Sequence, residues 1–469
     1  MLFNSFQYWI FFLIVAVLFY SVPFRIGKVL LVGASYVFYM WWDPRFIVLI
    51  LTSTVVDYFL GIWLELTSGG RKKLLLAVSL IVNLGLLGFF KYYDFFAGSL
   101  AALLHIHQSS VVLQIILPVG ISFYTFASLS YTLDVYWGKM KAVKNFINYA
   151  LFISFFPHLI AGPIIRARQF IFQIPGWRRP AAIVVQSGII LVLSGLIKKM
   201  VFADRFAVVS DSYFNDPTAH PGWLAAWSGC LAFFMQVFFD FSGYTDIARG
   251  CAKLLGFEFP LNFARPFLAR NPPDLWQRWH ITLSTWVRDY LFMPFSRGKK
   301  GRFMLYRNMI VVMVLVGLWH GANWTFVVWG AYHGFLLVGY RLFDRATTGS
   351  AIHRVMNSRY FVPFSVGLMF GCFVLSAAFF RPKTLQTSGY VLSALFGFQH
   401  IPGEFLLTTG TIVLVFISLF FAVAQERNQF IDRLALQPAR IQIPAYVCAF
   451  LVLELFPASG PAPFVYFQF

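Results

Sequence analysis

Long apolar runs, each with at most one charged residue, recur along this chain and constrain its fold more than any other feature. They are residues 6–22, 74–90, 183–197, 309–318, 362–380, 411–424 and 443–456. A water-soluble domain has too little interior to bury so much apolar surface, so the runs predict segments that cross a membrane. Because they are continuously apolar rather than alternating, they indicate α-helices instead of a transmembrane β-barrel.

The composition supports an all-α membrane fold. Hydrophobic residues make up 59% of the 469 residues and charged residues only 12%. At about 20 residues per crossing, we expect a polytopic protein with roughly 11 to 13 transmembrane or re-entrant helices, in a single membrane domain over residues 1–469. The first apolar run has no basic segment before it and no cleavage site after it, so we expect a retained span rather than a signal peptide.

The net charge bears on topology. The chain carries 37 Lys and Arg against 18 Asp and Glu, a formal charge of +19. In a membrane protein this excess is typical of cytoplasmic loops and of contact with anionic lipid headgroups, so no nucleic-acid partner is predicted. The uncharged start of the chain and residues 100–111 and 211–222 are then expected outside. The segments expected on the cytoplasmic side are residues 25–28, 71–73, 139–144, 265–307 and 425–440.

Sequence motifs for metals and nucleophiles are missing. The sequence has no Gly-rich phosphate loop, no HExxH zinc motif and no GxSxG nucleophile elbow, so we predict no metal and no bound cofactor. The four cysteines stand singly in apolar surroundings, and we expect buried, inert thiols rather than a zinc site or disulfides. They are Cys230, Cys251, Cys372 and Cys448.

Two segments break the pattern of simple crossings. Residues 150–160 are too short to cross and have basic clusters on both sides, so with Pro157 and Pro163 nearby they predict a re-entrant segment. Residues 256–307 are too polar to span throughout, and they predict an ordered cytoplasmic-side region with surface helices.

His320 is the strongest candidate for chemistry. It lies between the apolar run MIVVMVLVGLW and the segment GANWTFVVWGAYHG, and ionisable residues at membrane depth are costly. A neutral imidazole there can accept a proton from a hydroxyl group. Gly317 and Gly321 would let a substrate approach the backbone on either side. A hydrogen-bonded core histidine is the structural alternative.

His280 is the second candidate. It lies in DLWQRWHITLSTWVRDYLF, which we interpret as one helix capped by Asp274 after two prolines. On that helix His280 would lie at the boundary between the aromatic and polar faces, where a side chain can line a wet cavity. A boundary histidine on an interfacial helix is the alternative.

Other ionisable residues have structural interpretations. If one helix connected His320 and His333, they would be about 20 Å apart, so His333 is predicted to be structural. Asp246 and Arg249 are spaced to pair at i,i+3, as a structural ion pair or one that orients a cavity.

Several segments carry a family resemblance. They are ILPVGISFYTFASLSYTLDVY at residues 116–136, FFPHLIAGPIIR at 155–166, FFDFSGYTDIARG at 238–250, LWQRWHITLSTWVRDYLFMP at 275–294, GLWHGANWTFVVWGAYHG at 317–334 and the closing FVYFQF. In these segments the chain resembles the membrane-bound O-acyltransferases, and among them the bacterial subgroup that O-acetylates alginate.

The resemblance implies a site and a reaction. His320 matches the histidine regarded as catalytic, and His280 matches a second functional position. Candidate substrate-binding residues are Trp276, Ser284, Trp319, Asn323 and Asp246. The resemblance also implies a central funnel, acetyl-CoA as the acyl donor from the cytoplasm, and transfer towards a hydroxyl of an extracytoplasmic polysaccharide. A periplasmic acetyltransferase partner would complete the transfer, and the protein would lie in the bacterial inner membrane with a periplasmic N-terminus.

The sequence leaves three alternatives open for the acceptor and the function. The acceptor could be peptidoglycan or cellulose instead of alginate. Intramembrane Asp and His residues and a broken helix are also typical of a transporter for polar solutes, although no internal repeat supports one. A scaffold without chemistry would tolerate substitution of either His320 or His280.

Overall fold

A computed structural model of the chain describes residues 1–107, 109, 111–298, 301–427, 430–456 and 464–465, and in this part all regular secondary structure is helical. Positions within the expected loops 100–111, 265–307 and 425–440, and the last four residues of FVYFQF, lie outside the described residues. The chain divides into two compact units, Met1–Val192 with Tyr244–Pro260, and Leu193–Gly243 with Leu261–Phe469. The prediction of a single domain stays a prediction.

The first unit contains ten helices, the last of which ends beyond Val192. They are α1 (Phe6–Ser21), α2 (Phe24–Met40), α3 (Ile47–Leu66), α4 (Gly69–Leu87), α5 (Tyr93–Leu103), α6 (Ile121–Tyr136), α7 (Phe146–Ser154), α8 (Phe156–Leu159), α9 (Ala167–Ile171) and α10 (Ala182–Leu196). A 3₁₀ turn, Pro44–Phe46, precedes α3, and a π-helix, Gly88–Tyr92, joins α4 to α5.

The second unit contains the later helices, together with α12 up to Gly243. They are α11 (Asp204–Asn215), α12 (Trp223–Leu254), α13 (Pro272–Arg278), α14 (Ile281–Trp286), α15 (Met293–Ser296), α16 (Arg302–His320), α17 (Trp324–Thr347), α18 (Ala351–Met356), α19 (Val362–Leu375), α20 (Ala377–Phe380), α21 (Leu385–Leu395), α22 (Thr409–Arg427), α23 (Phe430–Ala435) and α24 (Ala439–Leu455). Two π-helices, Ile197–Ala203 and Val287–Phe292, and a 3₁₀ turn, Pro266–Leu268, complete it.

Seven helical stretches of the described chain are long and apolar enough to cross a membrane: Pro44–Leu66, Gly69–Leu103, Ala182–Asn215, Trp223–Leu254, Arg302–His320, Trp324–Thr347 and Val362–Phe380. Five more helices, α1, α2, α6, α22 and α24, are 16 to 19 residues long. Within the described residues these make twelve helices of at least sixteen residues, so the predicted all-α polytopic fold is confirmed.

The predicted break near residues 150–160 is observed. Helix α7 ends at Ser154, α8 is a four-residue helix that begins at Phe156, and an irregular segment leads to α9. Every residue from Tyr149 to Ala167 is buried, which is the condition under which irregular backbone is tolerated in a membrane protein.

The cysteine prediction was partly wrong. Cys230 and Cys251 are buried free thiols as expected, whereas Cys372 is half-buried and Cys448 is exposed on α24. A lipid-facing side chain and a core side chain have the same apolar sequence surroundings, so the pattern did not separate them.

A buried polar network holds the first unit together. Asp57 on α3 accepts hydrogen bonds from Ser79 Oγ at 2.6 Å, from Asn83 Nδ2 at 2.6 Å and from Ser128 Oγ. Tyr149 on α7 extends the network to Ser128, with 3.2 Å between the two hydroxyl oxygens. All five residues are buried, so the network joins α3, α4, α6 and α7 through satisfied polar groups.

Candidate functional site

Two helices of the second unit form the scaffold of the site. Helix α16 ends at His320, and α17 begins at Trp324 after a short turn in which Asn323 accepts a hydrogen bond from Thr325 N. The helices approach closely at glycines, because a Cβ at Gly317 would lie 2.1 Å from the carbonyl oxygen of Phe326 and one at Gly330 2.3 Å from that of Met313. Small residues allow such close packing of membrane helices.

The glycines beside His320 do not leave room for a substrate, contrary to the prediction. At Gly321 a Cβ would lie 2.1 Å from the ring of Phe326, and at Gly317 the neighbour is the Phe326 backbone. The space is filled by α17. These glycines therefore fix the position of the helix end that carries His320, instead of opening it.

His320 lies in an aromatic environment. Its side chain is buried, and its ring centroid is 5.0 Å from that of Trp319, 5.1 Å from Trp329 and 5.3 Å from Phe380. All three contacts are steeply angled, which is the favourable arrangement of aromatic rings. Three rings thus hold the imidazole at the end of α16.

His280 lies in a different backbone setting from the one predicted. The segment is not one helix capped by Asp274: α13 is capped by Asn271, ends at Arg278, and is separated from α14 by Trp279 and His280. His280 has a left-handed backbone conformation with φ of 43°. Its side chain is fully buried rather than at the edge of a wet cavity.

Asn262 explains the break at His280. The Asn262 Oδ1 lies 3.0 Å from His280 Nδ1 and accepts from Thr282 Oγ1 at 2.9 Å, and the Asn262 carbonyl accepts from Ile281 N at 2.8 Å. These contacts join residues about eighteen positions apart and replace helical hydrogen bonds. The π-helix Val287–Phe292 and α15 follow α14 within the segment 256–307. Its helices are partly buried, and the predicted cytoplasmic-side position of residues 256–307 stays a prediction.

Trp319 lies between the two candidate histidines. Its ring centroid is 6.0 Å from that of His280 and 5.0 Å from that of His320. The structure therefore brings together three residues that the resemblance implied, although His280 lies about forty positions before Trp319 and His320.

His333 is much closer to His320 than a continuous helix would allow. Both rings contact Trp329, at centroid distances of 5.1 Å and 4.5 Å, so the two imidazoles lie within about 10 Å of each other. The 20 Å estimate assumed one helix, and the turn at residues 321–323 reverses the chain instead. Trp276 contacts both Trp329, at 6.1 Å, and His333, at 5.3 Å. We call His280, Trp319, His320, Trp329, His333 and Trp276 the His–Trp cluster.

Two cavities border the His–Trp cluster. The smaller, about 30 Å³, is lined by His320 and Trp329 together with Trp279, Phe373 and Phe380. That volume corresponds to roughly one water molecule in the liquid. His320 therefore has a water-sized space at its ring instead of solid packing on every side.

The larger cavity has a volume of about 400 Å³ and is lined by Trp276 and Ser284. Its walls are mainly apolar side chains of α14, α16 and α17, and Arg288 and Arg341 also line it. Ligand pockets of proteins combine an apolar lining with a few polar groups in this way. Ser284 Oγ donates to the Trp279 carbonyl at 3.2 Å, which ties the pocket wall to the turn that carries His280.

Two candidate residues have other surroundings. Asn323 caps α17 through its side-chain oxygen, and its Nδ2 donates to the Lys383 carbonyl at 2.8 Å, so both ends of its amide are engaged. Asp246 belongs to the first unit, where it pairs with Arg249 at 3.6 Å, as its spacing predicted.

The electrostatics of His280 favour its neutral form. Burial lowers the pKa of His280 to about 3, because desolvation disfavours the charged ring. With so low a pKa the ring is a weak base near neutral pH, so the value suits a positioning role for His280 better than proton transfer. In the described residues no group of three His, Cys, Asp or Glu side chains is placed to hold a metal ion.

Sequence reasoning missed Trp329 and Arg341 as parts of the site. Trp329 is four residues before His333, so the two share one face of α17, and that spacing was visible in the sequence. Arg341 lies eight residues after His333 on the same helix. Basic residues are common near helix ends, so its position in the sequence did not mark it as part of a site.

Comparison with protein families gives one match along most of the chain. Residues 3–379 match the model of the membrane-bound O-acyltransferase family. The match includes the whole His–Trp cluster and the lining residues of both cavities except Phe380.

Curated relatives have related names. A probable alginate O-acetylase of Pseudomonas aeruginosa is 37% identical over 88% of this chain and 79% of its own length. A peptidoglycan O-acetyltransferase of Helicobacter pylori is 34% identical over 80% of this chain and 74% of its own. A teichoic acid D-alanyltransferase of Bacillus subtilis is 31% identical over 48% of this chain and 60% of its own.

Proposed function

The chain belongs to the membrane-bound O-acyltransferase family and is a multi-pass acyltransferase, and we propose that it moves an acetyl group from cytoplasmic acetyl-CoA towards an extracytoplasmic polysaccharide. The observation that carries the proposal is His320, held by three aromatic rings beside a water-sized cavity. Alginate is the first candidate acceptor, because several relatives named as alginate O-acetylases align over most of the chain. The inner membrane, with a periplasmic N-terminus, is the proposed location.

In the proposed reaction His320 acts as general base. Its neutral ring takes the proton of the acceptor hydroxyl while the oxygen attacks the thioester carbonyl. The C–S bond then breaks, the imidazolium returns the proton to the leaving thiolate, and the products are an ester and free CoA. No nucleophile motif is needed, so transfer is direct. His280 supports the site through Trp319, which touches both rings.

The donor is proposed to lie in the larger cavity. A volume of about 400 Å³ with an apolar wall suits the arm of a thioester, and Trp276 and Ser284 would contact it. Arg288 and Arg341 line the same cavity, and guanidinium groups pair with phosphate in a bidentate manner. The basic surroundings are those expected of a cytoplasmic face.

A partner protein completes the proposal on the acceptor side. We propose that a periplasmic acetyltransferase receives the acetyl group and passes it to the polymer, while lipid surrounds the apolar helices. Peptidoglycan is the second candidate acceptor, because a relative of that name is 34% identical over 80% of this chain.

The test is chemical analysis of O-acetyl groups on each envelope polysaccharide. A deletion strain is complemented with the wild-type chain or with His320→Ala at matched membrane abundance. We expect one polymer to lose acetylation in the deletion strain, to regain it with the wild-type chain and to stay unacetylated with His320→Ala. Full acetylation with the variant would overturn the role of His320, and unchanged acetylation of every polymer in the deletion strain would overturn the function.

A further inference from the structure

A second buried polar cluster lies in the same unit as His320. Lys199 Nζ is 2.8 Å from Asp204 Oδ1 and 2.8 Å from Asp240 Oδ1. Lys199 belongs to the π-helix Ile197–Ala203, Asp204 starts α11, and Asp240 lies on α12. All three side chains are buried. We call these three residues the ionic triad.

The charges of the ionic triad are not matched one to one. Two carboxylates face a single ammonium group, and a buried charge without a full partner costs several kcal/mol. Hydrogen bonds from backbone N–H groups can stabilise a carboxylate in such a place. Asp240 accepts such a bond on its other oxygen, Oδ2, from Val465 N at 2.6 Å.

The donor of that bond belongs to a distant part of the chain. Phe464 and Val465 are 0% and 1% exposed, and Val465 is 225 positions from Asp240. The Phe464 ring lies 5.7 Å from that of Phe241, and Phe241 lies 4.6 Å from the imidazole of His280 in an edge-to-face contact. The segment Phe464–Val465 is thus connected to His280 through a single aromatic ring.

We propose that Asp240 clamps the segment Phe464–Val465 against α12 and that this docked segment is a positioning element for His280. The second part rests on the proposed function, because it assumes that the His–Trp cluster performs acyl transfer. His280 needs such support, since its left-handed backbone is strained and its ring is anchored on one nitrogen by Asn262. Asn262 holds one nitrogen of the His280 ring, and Phe241 packs against the ring in an edge-to-face contact.

The two parts of the proposal are thermodynamically linked. Release of the segment would remove the N–H donor from Asp240 and the aromatic neighbour from Phe241 at the same time. Weakening the carboxylate at residue 240 must therefore increase the open population of the segment. The clamp also explains why α12 carries a carboxylate at this buried position.

The first experiment measures docking without any assay of function. Val465→Cys keeps the backbone N–H, and Cys372→Ser with Cys448→Ser removes the two thiols that are not buried. The rate of maleimide labelling of the introduced thiol reports opening of the segment. We expect Asp240→Asn to raise this rate by about tenfold or more, because a charge-assisted bond becomes a weaker neutral one.

The matched control is Asp204→Asn. It removes the other carboxylate of the ionic triad, which has the same Lys199 partner but is not the acceptor of Val465 N. We expect slow labelling in this variant. Equal labelling in both variants, or no increase with Asp240→Asn, would overturn the clamp.

The second experiment measures positioning in the purified protein. Val465→Pro removes the N–H, whereas Val465→Ala retains it. The readout is the release of free CoA thiol from acetyl-CoA in the presence of an alginate oligosaccharide as hydroxyl acceptor. We expect kcat of the proline variant to be at least about tenfold below that of the alanine variant, with the same KM for acetyl-CoA, because His280 is displaced while the donor cavity is intact.

Equal kcat values for the two variants, with a rapidly labelled thiol in Asp240→Asn, would overturn the positioning role and keep the clamp. Absence of thiol release in the wild-type protein would count against the proposed function and leave the labelling result standing. The two failures are therefore distinguishable.

Discussion

The Asp57 network and the His–Trp cluster place polar groups at depth in two different ways. Around Asp57 the partners are hydroxyl and amide groups, and both carboxylate oxygens accept hydrogen bonds. In the His–Trp cluster the neighbours are mainly aromatic rings, and His280 Nε2, His333 Nε2 and Trp276 Nε1 have no hydrogen-bond partner among the described residues. Cavities border the cluster.

The difference separates a structural use of polarity from a reactive one. A fully satisfied buried network fixes helices relative to one another and leaves no group available for a ligand. A site with unsatisfied donors and acceptors beside a cavity is less stable by itself and is suited to binding and proton transfer. Substitutions should therefore affect stability around Asp57 and donor binding or turnover in the His–Trp cluster.

The largest effect is expected for Asp57→Leu. It removes the acceptor that Ser79, Asn83 and Ser128 share and leaves them their longer contacts with Thr132, the Ser79 carbonyl and Tyr149. A buried polar group that loses its partner costs about 1–3 kcal/mol. We expect a low yield of folded Asp57→Leu protein, as measured by size-exclusion chromatography in detergent. Asp57→Asn retains an acceptor oxygen, so its yield of folded protein should fall less. Normal yield with abolished turnover would reverse the comparison, because Asp57 would then act in the reaction.

A smaller effect is expected for Trp276→Ala at the wall of the larger cavity. Loss of the indole widens the pocket and removes contacts to Trp329 and His333, so we expect KM for acetyl-CoA to rise by roughly tenfold with little change in kcat. Trp276→Phe keeps a ring and should raise KM less. A fall in kcat at constant KM would show instead that Trp276 acts at the reacting group.

The smallest effect is expected for Asn323→Ala. This variant tests whether Asn323 has a structural role as a helix cap or a role in substrate binding. Loss of a helix cap costs about 1 kcal/mol, and Asn323→Ser should retain most of the cap. Denaturation in detergent measures the free energy of unfolding. If both variants lose turnover equally without loss of stability, the amide of Asn323 contacts substrate and its predicted binding role is correct.

Some features of the site could be predicted from residues next to one another in sequence. His320 follows an apolar run and precedes Gly321 and Asn323, a pattern typical of a helix end and a new helix cap. The short, broken α7–α8 region was indicated by Pro157 and by its length. Gly321 and Asn323 also predict a chain reversal between the two helices. From that reversal the closeness of His333 and His320 follows.

Other features depend on contacts that are distant in sequence. Periodicity favoured one helix through His280, but hydrogen bonds to Asn262, eighteen residues away, stabilise a left-handed residue there. The link from Asp240 to Val465 is longer still. Apolar composition did not distinguish the exposed Cys448 from the buried Cys230, because lipid and protein core select similar side chains.

The central claim, that the His–Trp cluster is reactive and the Asp57 network structural, is tested most directly by reconstitution of three proteins in lipid vesicles. Wild type, Asp57→Asn and His320→Ala are supplied with labelled acetyl-CoA and an alginate oligosaccharide as hydroxyl acceptor, and free CoA is measured per folded protein. We predict turnover by wild type and by Asp57→Asn, and a loss of at least about a hundredfold for His320→Ala with donor still bound. Equal turnover by wild type and His320→Ala would contradict the account.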